Sequence, residues 1–148
     1  MNWWPLNLRD EAKMEGYLYF DQHIRGLPKN PDGSINEFAH GFADNDVDAF
    51  RHAYVSGVFT QEYGEKTANI LGWLNELSSI GSPAGGSNMD LWNNCVGRKL
   101  GSKAKSRTAN VNVLQTIISS VNAYAPWTCF PHYPASQQFF PANISLYT

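Results

Sequence analysis

Apolar residues that recur every three or four positions are the feature that most restricts the fold of this chain. In one segment Val47, Phe50, Tyr54 and Val58 follow this spacing, which places all four side chains on one side of a helix. Residues 110–124 repeat the pattern more clearly still. We therefore predict a mainly α-helical protein, a compact bundle of about five helices with no sheet larger than a short hairpin.

Glycine, proline and capping residues predict where these helices begin and end. Ser87 starts a Ser-x-x-Asp capping box, and Gly64 and Gly101 stand where helices should stop. A single domain is expected over residues 1–148, with a flexible loop at 78–88. The helices are predicted at residues 7–25, 46–63, 65–77, 88–100 and 110–124.

The hydrophobic core should form where the apolar sides of these helices meet. The tail from Pro126 to Thr148 is rich in proline and aromatic residues, so we expect it to be extended and to wrap over the core. Cys95 lies in an apolar helical stripe and is interpreted as a reduced core thiol. The residues predicted to be mostly buried are Phe50, Tyr54, Trp73, Leu74, Leu91, Leu114, Ile117, Ile118 and Val121.

Composition excludes several classes of protein. Of the 148 residues, 43% are hydrophobic and 16% are charged, which is typical of a globular chain. The net charge of −2 does not favour nucleic-acid binding, and no apolar run is long enough to span a membrane. Because no signal peptide is recognisable, we expect a protein that is cytoplasmic in its producer or exported by a dedicated secretion system.

Polar residues at helical spacing mark the second predicted helix as a candidate site. Asp48, His52 and Ser56 are four positions apart and therefore share one side of that helix. A carboxylate one turn away can orient an imidazole and raise its basicity. The same pair is also an ordinary contact on a helix surface.

The fourth predicted helix carries a second polar stripe. Asp90, Asn94 and Arg98 share one side, with Asn93 and Gly97 beside them. Asparagine and glycine are poor helix formers, so their presence fits a surface used for a ligand or for close packing. Asp90 is equally well explained as a helix-capping residue.

Short connections between neighbouring helices would bring parts of these stripes together. His52, Asp90 and Glu76 from the third helix would then offer one imidazole and two carboxylates, which suits a divalent metal or a general acid–base pair. Glu76 is also readily explained as a solvated side chain. No HExxH, GxSxG, P-loop, GxGxxG or CxxC motif accompanies these residues.

Two strings in the chain resemble a known family. Residues 48–54 read DAFRHAY and residues 89–98 read MDLWNNCVGR. Together they resemble a bacterial and phage domain of unknown function that also occurs at the ends of wall-associated and Rhs-type toxin proteins. The resemblance covers about residues 44–101.

The resemblance implies a set of characteristic positions. In this chain they are Arg51, His52, Glu76, Asp90, Asn93, Asn94, Gly97 and Arg98. The family pattern has histidine before the glutamate, whereas this chain has Asn75 before Glu76. Asparagine is a much weaker metal ligand than histidine, so a metal site with two histidines is not expected here.

Two hypotheses of function follow. In the first, the chain is a hydrolase-like effector or toxin domain that acts on the cell envelope or another polymer, with a cognate immunity protein as a candidate partner. His52, Asp48, Glu76 and Asp90 would be catalytic or would bind a divalent metal, and Arg51, Asn93, Asn94 and Arg98 would bind the substrate. In the second, the chain is a binding or structural module in which the Asp/Asn/Arg motif is a buried hydrogen-bond network.

Overall fold

The protein is a bundle of helices packed around one central helix. The computed structural model describes residues 5–42, 46–78 and 84–112, with side chains at 7–42, 46–75 and 90–112. Four long helices run through these residues, and a fifth, α5, covers residues 107–112 at the end of the described part. The long helices are α1 (Pro5–His23), α2 (Asp46–Tyr63), α3 (Glu65–Ser78) and α4 (Ala84–Gly101). The prediction of a mainly helical fold is confirmed, since the described residues form no strand beyond an isolated bridge between Lys29 and Ile35.

Helix α2 is the centre of the bundle, because α1, α3 and α4 all pack against it. Thirteen of its 18 residues are buried. A helix that is enclosed on all sides is normally apolar throughout, yet α2 buries two aspartates, a histidine, a serine and a threonine. Such groups need partners in the interior, so their presence points to a polar site.

The side of α2 that faces α1 is an aromatic core. The ring of Phe50 lies edge-on to Phe20 of α1 at 5.6 Å and is stacked with Tyr54 at 6.2 Å. Tyr54 is completely buried, and its hydroxyl donates a 2.9 Å hydrogen bond to Glu15 of α1. The predicted burial of Phe50, Tyr54 and Leu91 is confirmed.

Two glycines of α4 allow its backbone to approach the backbone of α2 closely. A Cβ atom on Gly97 would lie 1.9 Å from the carbonyl oxygen of Ala53. One on Gly101 would lie 2.4 Å from the carbonyl oxygen of Gly57, one turn further along. Non-bonded atoms do not approach so closely, so any side chain at these positions would push α4 away from α2.

Two ends of helices are fixed by polar contacts. The buried carboxylate of Asp46, at the start of α2, receives hydrogen bonds of 3.0 and 3.3 Å from the guanidinium of Arg25. Helix α5 begins at residue 107 rather than 110, because the hydroxyl of Ser106 accepts a hydrogen bond from the backbone N–H of Ala109. Ser106 is therefore the N-cap of α5.

The prediction that Trp73 and Leu74 are core residues was wrong. Their side chains are 42% and 56% exposed. The small residues of α3 explain the difference, since Ala68 is buried and Gly72 lies against Asn94 and Arg98 of α4. Because α3 turns this narrow side toward α4, Trp73 and Leu74 are left partly exposed.

Two further expectations need correction. Residues 84–88 belong to α4, which begins at Ala84, and are not a loop. Cys95 is disulfide-bonded and is not a reduced thiol. The predicted tail, together with Leu114, Ile117, Ile118 and Val121, lies outside the described residues.

Candidate functional site

The polar residues of α2 and α4 meet across the interface that the glycines create. Asp48, His52 and Ser56 follow one another at four-residue spacing on α2, and all three are buried. Asp90 and Asn94 lie opposite them, one turn apart on α4. The structure thus aligns Asp48 with His52, as the helical spacing predicted, and places Asp90 of α4 beside them.

Asn94 fixes the orientation and the tautomer of the His52 ring. The side-chain oxygen of Asn94 lies 3.1 Å from Nδ1 of His52 and accepts a 2.9 Å hydrogen bond from the hydroxyl of Ser56. Because an amide oxygen can only accept, the ring proton must be on Nδ1. The lone pair of the neutral ring is then on Nε2.

Two carboxylates and a guanidinium surround Nε2. The Oδ1 atoms of Asp90 and Asp48 lie 3.1 and 3.7 Å from it. Nη2 of Arg51 lies 2.6 Å from Nε2, and the Arg51 guanidinium also donates hydrogen bonds to Asp48. Three atoms that could bind a metal, one each from Asp48, His52 and Asp90, lie within 4.8 Å of one another.

The environment keeps the imidazole neutral. Burial lowers the pKa of His52 far below its usual 6.5, and the positive charge of Arg51 lowers that pKa further, against the opposing effects of Asp48 and Asn94. Burial would also lower the pKa of Arg51, but the Asp48 carboxylate raises it above its usual value. At neutral pH the site therefore contains a neutral imidazole beside a charged guanidinium.

A cavity of about 500 Å³ opens beside this cluster. Although His52 is only 6% exposed, it forms part of the cavity wall together with Arg51, Ser56 and Asn94. The remainder of the wall combines charged residues of α1 with apolar residues of α2 and α3. These are Arg9, Asp10, Lys13, Val55, Phe59, Leu71, Gly72, Leu74 and Asn75.

The other predicted site residues lie elsewhere. Asn93 is fully buried, and neither atom of its amide has a hydrogen-bond partner within the part of the chain that the structure describes. Arg98 is also buried, next to Gly72 of α3, and burial lowers its pKa while Glu65 raises it. Neither residue is part of the described cavity wall. Glu76 belongs to α3, but its side chain is outside the described residues.

Arg9 and Lys13 also line the cavity, although neither was among the predicted site residues. They are four residues apart on α1 and so share one side of that helix. Lys13 forms a 2.6 Å ion pair with Glu37, and both Lys13 and Arg51 also border a second cavity of about 590 Å³. The i, i+4 spacing of Arg9 and Lys13 shows in the sequence that they share one side of α1. Only the packing of α1 against α2 places that side at the cavity that His52 lines.

Comparison with known proteins identifies a family. Neither the curated proteins nor the solved structures contain a match to this chain. A family model described as "Domain of unknown function (DUF6973)" matches residues 34–124, which is more than half of the chain and includes α2, α3 and α4 in full. The match confirms the expectation of a domain family of unknown function. The chain belongs to the DUF6973 family.

Proposed function

We propose that the protein is a hydrolase whose active centre is formed by Asp48, His52 and Asp90. The observation that carries this proposal is the meeting of a neutral imidazole with two carboxylates, in which the imidazole lines a cavity of about 500 Å³. Buried titratable groups beside a cavity are a recurring feature of active sites. In this role the cluster binds and polarises the attacking water, while Asn94 holds the ring in position.

The cavity wall indicates the kind of substrate. The wall has three basic groups, Arg9, Lys13 and Arg51, against one carboxylate, that of Asp10, which is paired with Arg9. Phe59 and Leu71 supply apolar surface. A substrate with an anionic group next to an apolar part matches both regions. Cell-envelope and other anionic polymers contain such groups, and we propose them as the substrate class.

The biological setting of this proposal rests on the family resemblance. Domains with these motifs at the ends of toxin proteins suggest a small effector that is exported by a dedicated system and neutralised by a cognate immunity protein. An intracellular immunity protein would need to cover the cavity or its rim to block the substrate. Such a partner is part of the proposal.

A structural role is the second candidate, and the burial of His52 and Asn94 favours it. In that case the α2–α4 network serves only to hold the helices in register. A network with this purpose should satisfy its amides, yet Asn93 lacks partners among the described residues. The network also lies beside a cavity, where a purely structural cluster gains nothing from access to solvent.

Two isosteric variants separate these functions. We expect His52→Gln and Asp90→Asn to abolish the release of fragments from isolated cell envelopes, measured by mass spectrometry, and to abolish toxicity on expression. Their melting temperatures should stay within a few degrees of the parent. His23→Gln, at the exposed end of α1, is the matched control and should leave both properties unchanged.

The structural hypothesis predicts a different outcome. Removing one partner of a buried network leaves the other unsatisfied, at about 1–3 kcal/mol per group, so both variants should melt well below the parent. Fragment release by well-folded variants at the parental rate would exclude His52 and Asp90 from catalysis.

A further inference from the structure

Three lone pairs converge on one small volume between α2 and α4. Nε2 of His52 carries a lone pair because Nδ1 donates to Asn94, and it faces Oδ1 of Asp90 at 3.1 Å. The second carboxylate oxygen, from Asp48, is 3.7 Å from the same nitrogen. Lone pairs so close repel one another unless a positive charge lies between them.

The spacing of these atoms suits a metal ion. With metal–ligand bonds of about 2.1 Å, neighbouring ligand atoms are about 3.0 Å apart in an octahedral site and about 3.4 Å apart in a tetrahedral one. The distance from Nε2 to Oδ1 of Asp90, 3.1 Å, lies in this range, and the distance to Oδ1 of Asp48, 3.7 Å, lies just above it. The three ligand atoms lie within 4.8 Å of one another, so the aspartate side chains would rotate to complete the coordination.

Arg51 shows where a cation is stabilised in this cluster. One nitrogen of its guanidinium lies 2.6 Å from Nε2 of His52 and 2.5 Å from Oδ1 of Asp48. The side chain is 28% exposed and borders both cavities, so it has space into which it can move. A divalent ion carries more charge in a smaller radius and can replace the guanidinium between these two ligands.

The ring of His52 is already held from its other side. A histidine that binds a metal through one nitrogen usually donates the N–H of the other to a fixed acceptor, which sets the ring orientation. Asn94 is that acceptor, and Ser56 holds the same oxygen from the far side. These contacts are independent of the carboxylates and hold the ring so that Nε2 faces Arg51, Asp48 and Asp90.

We propose that Asp48, His52 and Asp90 bind a divalent transition-metal ion, with Mn²⁺ or Zn²⁺ as the matching class. One imidazole nitrogen and two carboxylate oxygens suit these ions better than Ca²⁺, which prefers six to eight oxygen ligands. Three protein ligands leave at least one position open for water next to the cavity. The inference deepens the proposed function and rests on it for the role of that water, but ion binding is measurable without any substrate.

Titration of the full chain after EDTA treatment tests the site. Isothermal titration with MnCl₂ and ZnCl₂ should give one ion per chain for at least one of the two metals, and the ion should raise the melting temperature. The affinity should fall at least tenfold in His52→Gln and in Asp90→Asn, and should be unchanged in the control His23→Gln. Pulsed electron paramagnetic resonance of the Mn²⁺ form should detect a bound nitrogen that is lost in His52→Gln.

Arg51→Gln distinguishes a metal site from a permanent ion pair. If the ion replaces the guanidinium, this variant should bind the metal at least as tightly as the parent. If Arg51 is the resident cation, the parent should bind neither metal and Arg51→Gln should melt lower, and the proposal is then overturned. Binding that persists at full strength in both His52→Gln and Asp90→Asn overturns it as well.

The same experiment separates this inference from the proposed hydrolase. Envelope hydrolysis that continues in EDTA and still depends on His52 would remove the metal and leave the hydrolase standing. Metal binding with no hydrolysis of any envelope fraction would support the metal site and contradict the hydrolase.

Discussion

Helix α2 joins two regions that are held together by different forces. Toward α1 it presents Phe50 and Tyr54, whose rings pack against aromatic residues of α1. Toward α4 it presents Asp48 and His52, and the backbone of Ala53 touches Gly97. One helix thus carries an apolar interface and a polar one on opposite sides.

The two regions differ in how well they tolerate amino-acid substitutions. Apolar packing depends on the total volume and burial of the side chains, so a core can adapt to a change of shape at moderate cost. The α2–α4 interface depends on distances near 3 Å between polar atoms, and hydrogen bonds weaken steeply when such distances increase. We therefore expect the α1 side to govern stability and the α4 side to govern function.

The largest expected effect is on the aromatic side. Phe50→Ala should lower the free energy of unfolding by about 3–5 kcal/mol, because it removes a ring that is 1% exposed. Chemical denaturation followed by circular dichroism measures this loss. Phe38→Ala is the matched control, since the Phe38 side chain is 94% exposed and should contribute almost nothing. Equal effects of the two changes would contradict the assignment of the core.

Gly97→Ala should lower the stability less than Phe50→Ala does, but it should disturb the geometry around His52 more. Gly97→Ala introduces a methyl group 1.9 Å from the carbonyl oxygen of Ala53, so α4 must move outward. We expect a loss of about 2–3 kcal/mol, together with separation of Asp90 and Asn94 from His52. The ¹⁵N chemical shifts of the His52 ring report its tautomer and should change in this variant.

Phe50→Ala shows whether a change in the His52 shifts is specific to the α2–α4 interface. The aromatic variant should keep the parental ¹⁵N shifts of His52 as long as it is folded, despite its greater loss of stability. Gly26→Ala is the control for the glycine change, because a Cβ at Gly26 would meet no atom within 4 Å. A Gly97→Ala protein with normal His52 shifts would show that the glycine contact does not position the site.

Most of the fold and half of the site could be predicted from local sequence. The 3.6-residue period fixed the position of α2 and, with it, the alignment of Asp48 with His52. The polar stripe of α4 correctly suggested Asp90 as a neighbour of His52. Each of these two stripes can be read from the spacing within a single helix, whereas the contact between them depends on how α2 and α4 pack.

What could not be predicted depends on how the helices are arranged. Helix α3 has a clear apolar stripe, and the sequence alone does not show that the helix packs by its small residues, with Trp73 and Leu74 outward. Likewise, Lys13 reaches the cavity only because α1 packs against α2. The contact between Gly97 and Ala53 also depends on how two helices pack. The two asparagines and the glycine of α4 suggested close packing but not the partner.

Substitutions on the exposed side of α3 should have the smallest effect on stability, in contrast to those on either side of the buried helix α2. Ile70 is 59% exposed, so Ile70→Gln loses little buried apolar area, and glutamine has the higher helix propensity. The free energy of unfolding should therefore change by no more than about 0.5 kcal/mol. Leu91→Gln, at a buried position of α4, is the matched comparison and should be strongly destabilising, because it places an amide in the core. Denaturation curves of the two variants measure both effects, and a loss of stability in Ile70→Gln that approaches that of Leu91→Gln would mean that the exposed side of α3 is covered in the folded protein.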